Sequence, residues 1–255
     1  MSTSTTRPPK DDTLESLASL CTTIVIALFA FTFLFQNFVI PSSSMDSTLL
    51  VGDHVLVERA ILSPRTAWAA FIPYRELRRG EPIVFYKPVP EPRGEHIILV
   101  KRVIGVPGDR IHLRRGIVYL NGLEQIEPRA AKPTAANYNP YRDDFPSIPS
   151  ANIPGVIARW SLDLPTHIHG LDLVVPHDSF FVMGDNRTNS LDGRYWGFVP
   201  RANIIGRPLV IYWSFKSSEG QSDRTSLTEK VSFTLYQLTH FFSESRWNRT
   251  LRTIN

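Results

Sequence analysis

The chain has 255 residues, 42% of them hydrophobic and 20% charged, which is enough to bury the core of one large domain or two small ones. Its net charge of +4 comes without a basic stripe interleaved with aromatic residues, so the sequence does not indicate nucleic-acid binding, and anionic lipid is a better partner for the surplus charge. The single cysteine, Cys21, rules out an intrachain disulfide and a cysteine-ligated zinc site, and the seven scattered histidines predict no metal site.

The first predicted element is an uncharged, strongly apolar run from Leu17 to Ile40. A helix of that length would reach roughly 36 Å, enough to cross a hydrocarbon core of about 30 Å. We therefore expect a single transmembrane helix at 17–40, with residues 1–16 in the cytoplasm and 41–255 as an extracytoplasmic domain at the plasma membrane. A buried helix of a soluble protein and a cleaved signal peptide are the alternatives, although the apolar region of a signal peptide spans only about 7–15 residues.

After the apolar run, the chain contains short segments with the composition of β-strands. Several alternate between apolar and polar residues, and the Asn-Gly pair at 121–122 is typical of a hairpin turn. The segments lie at 54–60, 82–86, 95–106, 110–123, 171–186 and 207–215. This pattern predicts a mostly β fold built as an antiparallel sheet or barrel.

Two segments depart from this pattern. Residues 127–170 are rich in proline and too long for an ordinary connection, so we expect an inserted lobe there. Near the C terminus, Leu235, Leu238, Phe241 and Phe242 have a helical spacing, but the segment is too short and too polar to span a bilayer. A helix lying on the lipid surface and an element packed on the body both fit this tail.

A lysine interrupts the most apolar predicted strand, "IILVKRVIGV". Because side chains alternate along a strand, Lys101 shares a face with Leu99 and Val103 while Arg102 lies on the other face, so one of the two charges is directed toward the core. Burial lowers the pKa of an ammonium group, and a neutral amine is a competent general base. The alternative is a lysine at a strand edge whose stem packs while its head reaches water.

A serine hydroxyl needs such a base, because free serine hardly ionises near neutral pH. No Gly-x-Ser-x-Gly elbow surrounds any serine of this chain, and nothing singles out a histidine. A Ser/Lys pair is therefore the most economical hypothesis for nucleophilic catalysis. The spacing alone does not decide which serine takes part.

Three longer motifs follow the apolar run in a fixed order: "IPSSSMDSTLLVGDHVLVER", "VKRVIGVPGD" and "MGDNRTNSLDGRYWGFVP". With them the chain resembles the bacterial type I signal peptidases, over about 36–60, 79–113 and 179–215. The resemblance implies a membrane-anchored serine endopeptidase that removes signal peptides from exported preproteins. It also implies a Ser/Lys dyad that needs no cofactor and no metal.

The resemblance assigns roles to individual residues. The serine before the methionine of the first motif, Ser44, would be the nucleophile, and the lysine that opens "KRVIGVPGD", Lys101, would be the general base. Ser42 would lend its hydroxyl to the oxyanion hole, together with the backbone N–H of Ser44. Ser190 would hydrogen-bond and orient Lys101. The supporting residues of the third motif would be an ion pair, Asp192 and Arg194, and a loop formed by Gly184, Asp185 and Asn186.

The implied substrate is the extended segment after a signal peptide's apolar region, with small residues at the first and third positions before the cut. Ile40 and Val100 are candidates to line the pockets for those residues, and core packing accounts for both equally well. A calcium loop in the third motif is rejected, because Arg187 occupies a ligand position and Trp196 stands where the closing glutamate should be.

A competing hypothesis from another functional class is a catalytically idle, membrane-anchored β domain that binds peptides or assembles partners. The intact Ser44, Lys101 and Ser190 argue against it. Cleavage of a signal-peptide substrate would separate the two hypotheses.

Overall fold

The computed structural model describes residues 12–59, 75–89, 97–219 and 226–254. Helix α1 (Asp12–Leu34) leads directly into strand β1 (Phe35–Val39), which pairs antiparallel with β2 (Asp53–Glu58). The expected helix at 17–40 therefore ends at Leu34, because the backbone groups of the next five residues are used in the sheet, with Phe35 opposite Glu58. Most of the predicted 1–16 tail lies outside the described residues.

The predicted transmembrane helix is not found. Among the described residues, no helix is both long enough and apolar enough to cross a membrane. Helix α1 has 23 residues, but it begins with Asp12 and includes Glu15, and the last apolar residues of the run belong to β1.

The body is built on two antiparallel β-sheets, which confirms the β part of the predicted fold class. The remaining strands are β3 (Pro82–Tyr86), β4 (Ile98–Gly105), β5 (Arg110–Arg114), β6 (Ile117–Leu120), β7 (Leu123–Glu124), β8 (Ile168–His169), β9 (Asp172–Val174), β10 (Ser179–Met183), β11 (Val199–Pro200), β12 (Ile204–Ser214) and β13 (Arg252–Thr253). The α-helices after α1, most of them only one or two turns long, are α2 (Pro140–Asp143), α3 (Ala158–Asp163), α4 (Gly193–Trp196), α5 (Leu227–Thr239) and α6 (Phe241–Glu244).

The larger sheet has eight strands in the order β1-β2-β12-β3-β4-β10-β11, and β13 pairs with β12. The long strand β12 pairs with β2 on one side and β3 on the other, and its register shifts at three places. Such bulges bend a strand and increase its twist. Strand β4 lies between β3 and β10, so the lysine it carries is placed inside the sheet.

The smaller sheet has five strands in the order β7-β6-β5-β9-β8. The predicted Asn-Gly turn joins β6 to β7, with φ of 52° at Asn121 and 82° at Gly122. A turn that needs positive φ at both central residues favours this pair, since asparagine and glycine adopt the left-handed region most readily.

The proline-rich segment at 127–170 packs on the body through four buried side chains, Tyr141, Phe145, Trp160 and Leu164, which belong to the same core cluster as β5, β6 and β10. Trp160 Nε1 and Tyr141 Oη both donate to the carbonyl of Arg194. The segment is thus joined to the loop that carries the third motif.

The C-terminal helices pack on the end of β12. Phe233 and Tyr236 of α5 make edge contacts with Phe215, and the ring of Phe241 lies 5.6 Å from that of Trp213. The tail therefore contacts the body through these aromatic rings, while Leu235, Leu238 and Phe242 of the same segment stay exposed.

Candidate active site

The serine segment leaves the sheet as a short turn beside β2. Ile40 is held between two backbone hydrogen bonds, since its N–H donates to the Asp53 carbonyl and its carbonyl accepts from Gly52, each at 2.9 Å. Ser42 is extended, and a single 3-10 turn follows over Ser43–Met45. Met45 is 1% exposed and fixes this turn in the core.

The loop of the third motif holds the serine turn from the other side. The Asn186 backbone N–H donates to the Ser44 carbonyl at 3.1 Å, and its side-chain amide donates to the Ser43 carbonyl at 3.2 Å. The Asn189 amide reaches the Ser43 hydroxyl at 3.1 Å. Two segments more than 140 residues apart in the chain are therefore locked together at Ser44.

Lys101 lies in β4 and is 2% exposed. Its Nζ donates a short hydrogen bond to the Ser44 Oγ. Burial lowers the pKa of Lys101 to about 8, the Asp192 carboxylate raises it in part, and the Arg194 guanidinium lowers it again. A substantial fraction of this amine is therefore neutral near physiological pH.

The neighbouring charge, Arg102, is buried as well, although the alternation along the strand predicted only one buried charge. Its guanidinium makes two hydrogen bonds of 2.7 Å to the Asp185 carboxylate and one of 3.0 Å to the Thr48 hydroxyl. Both faces of β4 are covered at this point, so both side chains lie inside, and the Arg102 guanidinium is paired with the Asp185 carboxylate.

The hydroxyls of Ser42 and Ser44 lie 3.3 Å apart. No other described hydroxyl is hydrogen-bonded to the Ser44 Oγ.

The expected hydrogen bond between Ser190 and Lys101 is not formed. Ser190 is 6% exposed, and within the described part of the chain its Oγ has no hydrogen-bond partner. The Lys101 Nζ points to Ser44 instead. Ser190 nevertheless lies against the site, since a Cβ placed on Gly184 would come within 2.4 Å of its Oγ.

Asp192 and Arg194 form the ion pair that the resemblance implied, with 2.8 Å between Arg194 Nη2 and Asp192 Oδ2 and neither side chain exposed. Burial alone would raise the pKa of Asp192, but the charge and hydrogen bonds of Arg194 and the Gly184 N–H hold it below its usual value. The aspartate also accepts the Gly184 N–H at 3.0 Å, which ties the pair to the loop behind Ser44.

Gly184 has no room for a side chain. A Cβ there would lie 2.5 Å from the Ser44 carbonyl oxygen, closer than real contacts allow. The loop therefore approaches the serine turn at a distance that only glycine permits.

A small cleft of about 100 Å³ opens beside Ser44 between the end of β1 and the start of β4. Ile40 and Val100 both line it, together with Ile98 and Leu99. Ile40 and Val100 also pack in a hydrophobic cluster with Met45, Val55 and Val84, so each belongs to the core and to the wall of the cleft.

Two partners of the site were not anticipated from the sequence. Glu219 accepts the Ser43 N–H at 2.7 Å, and Thr48 donates to Asp185 at 2.5 Å. Nothing in the local patterns around Glu219 or Thr48 pointed to the serine turn, because both contacts depend on tertiary packing. No cluster of three metal-ligating side chains occurs in the ranges that the structure describes.

Comparison with protein families matches residues 13–213 to the signal peptidase family, peptidase S26. A probable signal peptidase I-2 from Synechocystis is 33% identical over 208 residues, covering 81% of this chain and 76% of the relative. A signal peptidase I from Aquifex aeolicus is 32% identical over 235 residues, covering 79% and 85%.

Among solved structures, a signal peptidase I from Enterococcus faecalis matches with 29% identity and a TM-score of 0.34, over 52% of this chain and 97% of that one. The family match spans most of the chain and includes all three motifs, and curated relatives of similar length carry the same name. The chain therefore belongs to the signal peptidase family, peptidase S26.

Proposed function

We propose that this protein is a serine endopeptidase that cleaves signal peptides from exported preproteins, with Ser44 as the nucleophile and Lys101 as the general base. The observation that carries the proposal is the direct hydrogen bond between a buried lysine amine and the Ser44 hydroxyl. Membership of a family of signal peptidases supplies the reaction class.

The neutral amine of Lys101 takes the proton from the Ser44 hydroxyl as the oxygen attacks the scissile carbonyl carbon. The carbonyl becomes a tetrahedral oxyanion, and the proton on Lys101 is then transferred to the leaving amine. Water repeats the sequence on the acyl-enzyme, with Lys101 again accepting a proton. A pKa of about 8 suits this role, because the amine is available as a base and its conjugate acid can still protonate the leaving group.

The developing oxyanion is stabilised by the Ser42 hydroxyl and the Ser44 backbone N–H. The 3.3 Å separation of the Ser42 and Ser44 hydroxyls supports this role for Ser42. One such donor contributes about 3–4 kcal/mol in other oxyanion holes.

Substrate binding uses the edge of β4 that faces away from β3. Strand β10 pairs with β4 from Arg102 onward, whereas Ile98 to Val100 have β3 as their only partner among the described strands. An extended peptide can therefore add beside these residues and pass Ser44. The cleft lined by Ile40 and Val100 has a volume of about 100 Å³, which suits small side chains at the first and third positions before the cut.

The exposed apolar side chains of α1 support association of the protein with a lipid bilayer. Leu17, Leu20, Ile24, Leu28 and Phe29 are each about half exposed or more. Association through α1 would hold Ser44 near the membrane, because only nine residues separate Leu34 from Ser44. Signal peptides arriving on the outer face of the plasma membrane would meet the site there.

The test is cleavage of a peptide that spans a signal-peptide junction by the purified full chain in detergent, followed by mass spectrometry. We expect cleavage at one bond, and loss of cleavage in Ser44→Ala and in Lys101→Arg, which keeps the charge but does not deprotonate. Ser47→Ala is the matched control, because its exposed hydroxyl donates to the Arg129 carbonyl and not to the proposed dyad. A wild-type chain that binds the peptide without cutting it would instead indicate an idle peptide-binding domain, and cleavage by Lys101→Arg would eliminate the dyad.

A further inference from the structure

A buried carboxylate that the catalytic steps do not use lies at the start of β2. Asp53 has no exposed surface, and its oxygens accept the Leu50 N–H at 2.9 Å and the Ser214 hydroxyl at 2.6 Å. A buried charge needs an ionic partner, and this one is supplied by the other end of the chain.

That partner is Arg249, which lies 196 residues after Asp53 in the chain. Its guanidinium donates from Nη2 to Asp53 Oδ2 at 2.5 Å and from Nε to Oδ1 at 3.2 Å. Arg249 is itself 8% exposed. The planar fork of arginine, unlike a lysine ammonium, can bind both oxygens at once.

Arg249 also reaches the chain just after the nucleophile. Its Nη2 donates to the Thr48 carbonyl at 3.0 Å, and the backbone N–H groups of Thr48 and Leu49 donate to the Met45 carbonyl at 3.0 and 2.9 Å. The Thr48 hydroxyl donates to Asp185. Thr48 therefore contacts both Arg249 and the loop of the third motif. Its backbone N–H also joins it to Met45, in the turn that carries Ser44.

The other side of the turn is fixed by Asp53 as well. The Asp53 carbonyl accepts the Ile40 N–H, so the same residue that binds Arg249 also holds the chain before the serines. The seven residues between Ile40 and Thr48 thus form a loop with both ends attached to the Asp53–Arg249 pair.

We propose that Arg249 is a positioning residue for the proposed nucleophile, acting through Asp53 and Thr48 to hold the Ser44 turn in register with Lys101. The inference rests on the proposed function of Ser44 and Lys101. Arg249 itself touches neither residue, so its effect is on geometry and not on the protonation of Lys101.

The test compares Arg249→Met with Arg252→Met in the full chain. Arg252 lies in the same C-terminal segment, but its side chain is exposed, which makes it a matched control. We expect Arg249→Met to lower kcat on the order of 10- to 100-fold, as misplacement of reacting groups by about 1 Å does, with KM changed by about twofold or less. The pH at half-maximal rate should stay unchanged, and Arg249→Lys should recover part of kcat. Arg252→Met should have the kcat of the wild type.

A second variant separates positioning from stability. Arg249→Met leaves the Asp53 charge buried and unpaired, which can unfold the protein, whereas Asp53→Asn combined with Arg249→Met removes both charges. The proposal requires this double variant to be folded and still slow. A double variant with full kcat, or a folded Arg249→Met with unchanged kcat or only a raised KM, would overturn it. If the wild type itself fails to cleave, the proposed function is at fault and not this inference.

Discussion

At the scale of single residues, the burial of Lys101 makes the rate depend on pH. Its pKa is lowered to about 8, so the base form grows as pH rises through that value. We expect kcat/KM to rise between about pH 6 and about pH 10, with half of its maximum near pH 8, when initial rates are measured on the junction peptide. A rate that is flat down to mildly acidic pH would contradict a lysine base.

The contact between Ser44 and Lys101 could be predicted from the sequence only in part. Periodicity predicted that a charge in β4 is directed inward, and the three motifs pointed to Ser44 as the partner, which in the structure is hydrogen-bonded to Lys101. Periodicity did not predict that Arg102 is also buried, because a strand in the middle of a sheet can be covered on both faces. It also could not show that the Ser190 Oγ has no hydrogen-bond partner in the described part of the chain, since a side-chain rotamer depends on tertiary neighbours.

At the scale of elements, the boundary between α1 and β1 decides where the body begins. A helix predicted from hydropathy alone extends to Ile40, because the half-buried strand residues at the end of the apolar run are as apolar as those of a membrane helix. The pairing of β1 with β2, from Phe35 to Val39, is a long-range contact that no local pattern contains.

This boundary leads to a prediction for two truncated chains. A chain that begins at Phe35 keeps β1 and should cleave a soluble junction peptide with a kcat within about threefold of the full chain. Such a change in activation free energy is well below the value of about 1.4 kcal/mol that corresponds to a tenfold change in rate. A chain that begins at Ile40 lacks all five residues that pair with β2, so the segment before Ser44 loses its support and kcat should fall by more than tenfold, about 1.4 kcal/mol. Equal activity of the two truncated chains would show that β1 does not support the site.

At the scale of the whole molecule, the functional groups are held together by chain segments far apart in sequence. The serine turn follows β1, the lysine lies in β4, the supporting loop follows β10, and Arg249 is near the C terminus. Short-range reasoning predicted that the elements are strands and that the sheet is antiparallel. It could not predict the order β1-β2-β12-β3-β4-β10-β11, which brings the four segments to one place.

The same burial that lowers the pKa of Lys101 should lower the stability of the fold at neutral pH. In the unfolded chain the amine keeps its ordinary pKa of 10.5, while in the folded protein the pKa is about 8. Between these pH values the unfolded state binds more protons than the folded state, so the free energy of unfolding rises with pH. Below pH 8 the amine is protonated in both states, and burial of its charge lowers the free energy of unfolding by the full amount, about 3 kcal/mol.

Replacement of the amine by an apolar side chain of similar length tests this cost. Lys101→Met should be more stable than the wild type by up to about 3 kcal/mol at neutral pH, and the difference should shrink as pH rises from about 8 to about 10.5, because the wild-type lysine is then neutral in both states. Urea unfolding of both proteins at several pH values measures the difference between their free energies of unfolding. The titration of all other groups contributes equally to both proteins and cancels in this difference. Lys132→Met, at an exposed position, is the control and should show no such trend. A stability difference that is the same at every pH would mean that the folded protein does not hold Lys101 with a lowered pKa, and the proposed base would then lack its physical origin.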